Sequence, residues 1–149
     1  KQGNAKGYWV MSYLLDTCVI SEFIKKSPSP KVVKWVSEIE EANLFISVLT
    51  IGEIHKGIEK LPKSKKKDKL HHWVNSDLQE RFKNRIINFD LQTATVWGQT
   101  QAHSEILGKA LPAIDGQIAA TGISYGLTVV TRNTTDMEVS GVALLNPWE

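Results

Sequence analysis

Short apolar runs alternate along this chain with longer amphipathic stretches, and this alternation limits the possible fold more than any other feature. The runs that predict strands are 13–15, 44–46, 86–89, 127–131 and 142–145. Between them, apolar residues recur at helical spacing. Strands separated by helices predict a single three-layer α/β domain, in which helices flank a central, mostly parallel sheet of about five strands.

The predicted helices are bounded by residues that favour helix ends. Helices are expected at 17–26, 30–41, 48–60, 64–85, 91–108 and 114–122. Ser29 and Ser47 are suited to cap the second and third of these, and Gly126 is suited to stop the last before the next strand. That last helix is rich in small residues, so we expect it to lie very close to the sheet.

Length, charge and cysteine content fit one domain of the cytoplasm. Residues 1–10 precede Met11, where the patterned sequence starts, and we expect them to be an expression remnant or upstream scar, with the domain at 11–149. Without Lys1 and Lys6 the chain has 16 basic and 16 acidic residues, so net charge indicates no class of partner. Cys18 is the only cysteine, and no run approaches the ~20 apolar residues of a membrane span. A cytoplasmic location without membrane contact is therefore predicted.

A lysine-rich segment stands out against this even balance. It contains Lys60, Lys63, Lys65, Lys66, Lys67 and Lys69, with Arg81, Lys83 and Arg85 further along. Such a segment can contact phosphates. The alternative is the solvated start of a helix, which is the commoner reason for a run of lysines.

Four acids occur where strands end or where neighbouring helices begin. Asp16 ends the first strand, Glu53 lies among isoleucines on the helix after the second, Asp115 opens the helix before the fourth, and Asp136 follows the fourth. The carboxyl ends of parallel strands meet at one edge of the sheet, so these side chains are expected to converge there. Each acid alone has an ordinary alternative, such as a helix cap, a helix-dipole acid or a solubilising loop residue.

Converging carboxylates repel one another and raise each other's pKa unless a cation neutralises them. Oxygen ligands of this kind suit Mg²⁺ or Mn²⁺. Such an ion can activate water and stabilise the charge that develops during phosphodiester hydrolysis. The acids therefore predict a metal site and the hydrolysis of a nucleic acid backbone.

The same residues belong to a wider set of short motifs. These are Leu14-Leu15-Asp16-Thr17 with Val19-Ile20-Ser21-Glu22, the stretch from Ser47 through Glu53, Asp115-Gly116-Gln117-Ile118-Ala119-Ala120, Thr131-Arg132-Asn133 and Asn146-Pro147-Trp148. In these motifs the chain resembles the PIN-domain family from Met11 onward. Within that family it resembles the VapC-like toxins of bacterial toxin–antitoxin pairs, especially the FitB type.

The resemblance implies a metal-dependent ribonuclease in which Asp16, Glu53 and Asp115 bind Mg²⁺ or Mn²⁺. A fourth position near the loop after the fourth strand is filled either by the acid Asp136 or by the Asn133 amide. It also implies a homodimer and a small VapB-like antitoxin that blocks the site. Thr17, Thr131 and Asn133 are expected to support the acids. Two positions depart from the family pattern: Cys18 replaces the usual Asn, and Asn133 stands where many relatives carry Asp.

Other functions remain open on the sequence alone. A phosphoacceptor signalling domain also has acids at strand ends, but Asp16 is single where such domains have paired acids. A nucleotide-binding module is disfavoured because no glycine-rich phosphate motif follows the first strand. A PIN fold that binds RNA or a partner without cutting is a further alternative.

Overall fold

The computed structural model describes residues 2–3 and 9–149, with side chains from residue 11 onward. Near the start, β1 (Gln2–Gly3) and β2 (Trp9–Val10) pair antiparallel. The expectation that residues 1–10 are a remnant falls mostly on residues outside this description, and it remains a prediction.

Five further strands form the central sheet. They are β3 (Tyr13–Leu15), β4 (Leu44–Ser47), β5 (Ile86–Ile87), β6 (Thr128–Val130) and β7 (Leu144–Leu145). Their order is β5-β4-β3-β6-β7 and every pairing is parallel. The first of them, β3, is central, with Leu14 opposite both Phe45 and Val129. The predicted α/β fold with five strands is confirmed, and the sheet is entirely parallel.

Helices connect the strands and cover both faces of the sheet. They are α1 (Thr17–Glu22), α2 (Pro30–Glu38), α3 (Val48–Glu59), α4 (Lys65–His72), α5 (Leu78–Arg81), α6 (Leu91–Ile106), α7 (Ala113–Tyr125) and α8 (Thr134–Met137). Short 3₁₀ turns at Glu41–Asn43 and Glu138–Ser140 complete the connections.

Several helix ends follow the predicted capping residues. The Ser47 hydroxyl accepts a hydrogen bond from the Leu49 N–H at 3.0 Å, and the Ser64 hydroxyl accepts one from Lys67 at 3.1 Å. Gly126 ends α7 with a φ of 65°, a left-handed conformation that glycine adopts without strain. Ser29 precedes α2 but makes no side-chain cap.

Two predicted elements differ in detail. The long charged helix expected at 64–85 ends at Arg81 and contains a π-helical segment, Trp73–Asp77, between α4 and α5. Three residues after this helix end, Asn84 takes a positive φ of 65°. Asp136, which the sequence placed after the fourth strand in a loop, instead lies on the short helix α8.

The core lies in two layers, one on each face of the sheet. Because successive strand residues point to opposite faces, Leu14 and Leu15 enter different layers. Leu15 packs in a cluster with Ile20, Ile46 and Phe82, while Leu14 packs in a cluster with Ile118 and others. Within the described residues, no helix combines the length and apolar character needed to cross a membrane.

Candidate active site

Asp16 lies where the central strand β3 ends and α1 begins, and only 4% of its surface is exposed. One carboxylate oxygen accepts a hydrogen bond from the Thr17 backbone N–H at 2.8 Å, and the other accepts one from the Thr131 hydroxyl at 2.8 Å. Thr131 follows β6, the strand paired with β3, so two strand ends meet here. Burial raises the pKa of Asp16, and the hydrogen bonds from Thr131 and Thr17 oppose that rise. Both oxygens are thus held in one orientation.

Glu53 lies on α3, which follows the neighbouring strand β4, and it is half-buried. Its carboxylate accepts a hydrogen bond from the Thr17 hydroxyl at 2.5 Å. The same hydroxyl lies 3.3 Å from the hydroxyl of Thr50, which is fully buried. Thr17 therefore links the two acids, binding Asp16 through its backbone and Glu53 through its side chain.

Asp115 completes this group from the first turn of α7 and is half-buried. Its pKa is raised to about 6, first by burial and then by the negative charges of Asp16, Asp136 and Glu53. Asp136 itself lies exposed on α8, beside an open groove of about 620 Å³ that Pro112 also lines. The other three acids predicted from the sequence therefore lie close enough to Asp115 for their charges to raise its pKa.

The chemistry of this group fits a hard divalent cation. All four side chains offer oxygen. The pKa of Asp115 is raised by burial and then by the charges of the other three acids, and a bound cation would favour its ionised form. No three Asp, Glu, His or Cys side chains in the described part of the chain are grouped so that they alone could hold a metal ion. Mg²⁺ is commonly bound by one or two carboxylates, with water and substrate phosphates as its other ligands. The acids fit that mode of binding.

Comparison with known proteins agrees with this geometry. The family model described as PIN domain matches residues 13–139, a range that contains all four acids. The chain belongs to the PIN-domain family. It is 36% identical to Toxin FitB of Neisseria gonorrhoeae, over 91% of this chain and 97% of that protein. It is 31% identical to VapC ribonuclease Y4jK of Sinorhizobium fredii, over 91% and 97%.

A solved structure extends the similarity to three dimensions. The crystal structure of FitAcB from Neisseria gonorrhoeae contains a chain that superimposes with a TM-score of 0.87 at 36% identity, covering 92% of this chain and 99% of that one. The resemblance to PIN domains inferred from the motifs is confirmed, and membership of this family leaves no support for the phosphoacceptor alternative.

Three residues support the acids of this PIN domain in different ways. Thr131 donates its hydroxyl hydrogen to Asp16 and accepts a hydrogen bond from the Asn133 backbone N–H at 3.0 Å. Asn133 thus contributes through its backbone, and its side chain is exposed. The Cys18 sulfur lies 3.9 Å from Asp16 and accepts a hydrogen bond from the Arg132 N–H at 3.5 Å. Burial raises the pKa of the Cys18 thiol, so the neutral form is favoured there.

The sequence reasoning assigned no role to Glu22, although this residue is almost fully buried. Its carboxylate forms an ion pair with Lys25 and accepts a hydrogen bond from the Ser29 N–H at 2.8 Å. These bonds lower the pKa of Glu22 and join the end of α1 to the start of α2. The sequence does contain a signal for this burial: Glu22 follows Val19 by three residues, so both lie on the inward face of α1.

Proposed function

We propose that this PIN domain is the toxin of a toxin–antitoxin pair and acts as a Mg²⁺- or Mn²⁺-dependent endoribonuclease. The observation that carries the proposal is the convergence of acids at one edge of the sheet: Thr17 hydrogen-bonds both Asp16 and Glu53, and the charges of these two acids and of Asp136 reach Asp115. Relatives named Toxin FitB and VapC ribonuclease Y4jK support the same activity. Hydrolysis of RNA phosphodiester bonds is the reaction that such acids serve in this family.

The proposed roles of the site residues differ with how deeply each is buried. Asp16, Glu53 and Asp115 would hold the ion together with water and substrate phosphates, and Asp136 lies on the solvent side of them. These four acids form what we call the acidic edge. When bound, the ion supplies activation of water and stabilisation of charge on the phosphate oxygens. Thr131 and Thr17 orient the carboxylates before substrate arrives, which lowers the cost of assembling the site.

A toxin of this kind requires a partner protein that inhibits it in the cell. The solved structures of FitAB and FitAcB each contain a chain about one third identical to this protein. We therefore infer that a cognate VapB-like antitoxin binds this chain and blocks the acidic edge.

The decisive experiment is an RNA cleavage assay on protein purified free of any antitoxin. The wild type is expected to cut a structured RNA with Mg²⁺ or Mn²⁺ and to lose that activity in chelator. Asp16→Asn keeps the shape of the side chain and removes its charge. It should lower the rate by more than the roughly 10–100-fold that loss of an outer-shell partner costs.

Asp77→Asn is the matched control, because Asp77 is exposed in the π-helical segment and lies outside the acidic group. It should cut RNA at the wild-type rate. Cleavage that persists in chelator, or full activity in Asp16→Asn, would contradict the proposed mechanism. RNA binding without cleavage by wild type under all metal conditions would favour the non-catalytic alternative.

A further inference from the structure

Arg132 differs from the other two arginines in what its side chain contacts. Arg81 pairs with Glu41 at 2.8 Å, and Arg85 donates to the carbonyls of Glu41 and Leu44 at 2.6 Å. The guanidinium of Arg132 makes no hydrogen bond or ion pair with any residue that the structure describes, and the residue is exposed. It instead lies over the Trp148 ring, 4.3 Å from the ring centroid. Its five N–H donors are therefore available to a ligand.

Trp148, which lies beneath the Arg132 guanidinium, is held in place by its own packing. It is half-buried and packs against the core cluster that contains Leu15 and Val19. Its backbone N–H donates to the Asn146 side chain at 2.9 Å, which shapes the turn after β7. A guanidinium held over a tryptophan ring is attracted by the ring face without spending its N–H donors on hydrogen bonds, so the ring positions the cation and leaves the donors to a ligand.

The pair lies at the same edge of the sheet as the acids. Arg132 directly follows Thr131, whose hydroxyl binds Asp16, and the Arg132 backbone donates to Cys18. The Thr131 N–H donates to the Leu145 carbonyl at 3.0 Å, so the ends of β6 and β7 lie side by side. Arg132 lowers the pKa of Glu22 and has no such effect on Asp16 or Asp115, so it does not neutralise the proposed metal ligands.

An acidic edge that must accept RNA repels the phosphates on either side of the cut, so a nearby cation is needed. The lysine-rich segment is a poor source, because Lys60 follows Glu53 by seven residues, or about 10 Å along the axis of α3. Its later members stand at the start of α4, beyond the loop that ends α3. Arg132, by contrast, lies at the carboxyl ends of the strands, directly after the residue that binds Asp16.

We propose that Arg132, stacked on Trp148, forms a phosphate-binding subsite that holds an RNA phosphate next to the acidic edge. The subsite rests on the proposed ribonuclease function, because it names a contact for that substrate. Its ligand is a backbone phosphate of single-stranded RNA, bound by the guanidinium fork without reading a base.

The test measures RNA binding in the absence of cutting. A short labelled single-stranded RNA of mixed sequence is titrated with the full chain in chelator, and the dissociation constant is followed by fluorescence anisotropy from ~50 to ~200 mM KCl. Arg132→Gln should weaken binding about tenfold, as expected for loss of one charge-assisted contact. The slope of log affinity against log salt should fall by about 0.7, the share of one single-strand phosphate.

Two further variants separate charge from geometry. Arg132→Lys keeps the charge and should keep the salt slope while binding more weakly, because it loses the planar fork. Trp148→Leu should likewise weaken binding at an unchanged slope, with thermal unfolding measured to establish that the variant is folded. Lys83→Gln is the matched control: Lys83 is exposed and lies before β5, at the opposite edge of the sheet, so its loss should leave both quantities as in wild type.

Unchanged affinity and slope in Arg132→Gln would overturn the subsite, as would an equal effect of Lys83→Gln. Normal RNA binding by Arg132→Gln with weakened binding of the antitoxin would also overturn it, because the surface would then serve a protein partner. The result is independent of catalysis. If wild type fails to cut RNA with any metal, the proposed function fails, while the dependence of RNA binding on Arg132 is still measured.

Discussion

Thr131 makes two hydrogen bonds with one hydroxyl, donating to Asp16 and accepting from the Asn133 backbone. This arrangement bears on Cys18, the position at which the resemblance to PIN domains led us to expect Asn. The Cys18 sulfur lies 3.6 Å from the Thr131 hydroxyl and 3.9 Å from Asp16, contacts that are weak for a thiol. The stronger bracing of Asp16 comes from Thr131 and from the Thr17 backbone, so the site does not depend on an amide at position 18.

Asp115 gives a prediction about stability and pH. Its folded-state pKa of about 6 is above its unfolded value near 3.8, so the folded protein binds this proton more tightly. The free energy of unfolding therefore falls as pH rises from about 4 to about 6, and the loss persists at higher pH. In chelator at neutral pH, Asp115→Asn should stabilise the fold by about 1 kcal/mol, after allowance for its partial exposure. That corresponds to about 2–4 °C in Tm.

Thermal unfolding at two pH values measures this effect. The gain from Asp115→Asn should vanish near pH 4, where the wild-type carboxyl is already protonated. Mg²⁺ should raise the Tm of wild type at neutral pH and have little effect on the variant. Asp77→Asn, outside the acidic group, should show no gain at either pH. A variant that is less stable than wild type at neutral pH in chelator would contradict the repulsion inferred for the site.

At the scale of elements, α7 gives a sharp test of close packing. A Cβ on Gly122 would lie 2.7 Å from a methyl of Val129 in β6 and 2.9 Å from a methyl of Val142, which precedes β7. Gly122→Ala is therefore expected to destabilise the fold by about 1–3 kcal/mol, as overpacking does. Urea unfolding of the variant and wild type measures the difference.

Gly98 on α6 is the matched control, because a Cβ there would meet no atom within 4 Å. Gly98→Ala should stabilise the fold by up to ~1 kcal/mol through helix propensity alone. A destabilised Gly98→Ala and a neutral Gly122→Ala together would show that α7 does not press on the sheet as described.

The elements that sequence predicted well are those with strong local signals. Strand runs, the Ser47 cap, the Gly126 stop and the close approach of α7 all come from patterns within a few residues. The π-helical segment and the early stop of α5 are set by packing and by the backbone at Asn84, which leave no periodic trace. The acids could also be predicted to converge, because the carboxyl ends of parallel strands meet at one edge of a sheet. The contact of Arg132 with Trp148 could not be predicted, because it depends on the register of β6 and β7.

For the whole molecule, the expected homodimer needs an apolar surface. Ile106 is the last residue of α6 and has 83% of its surface exposed. Leu107, which follows it at the helix end, is 53% exposed. We propose that they contribute to the interface, since paired exposed apolar side chains are costly in water. Ile106→Glu is expected to shift the protein from dimer to monomer at micromolar concentration, measured by light scattering after gel filtration.

Leu91 is the control for this prediction, because it is 84% exposed at the other end of α6 with no exposed apolar neighbour in the chain. Leu91→Glu should remain dimeric. A wild type that is monomeric at all concentrations would refute the dimer, and dissociation by Leu91→Glu alone would place the interface elsewhere on α6.

The central position of β3 has a consequence during synthesis. The strand that ends in Asp16 is made first, but its partner β6 and the bracing Thr131 are made 115 residues later. At translation rates of about 5–20 residues per second this interval is roughly ten seconds. During that time the carboxylate of Asp16 lacks both the strand β6 and the hydroxyl that orients it. The proposed ribonuclease site is therefore complete only after β6 and Thr131 have been made, which is also the first moment at which the inferred antitoxin has the whole site to bind.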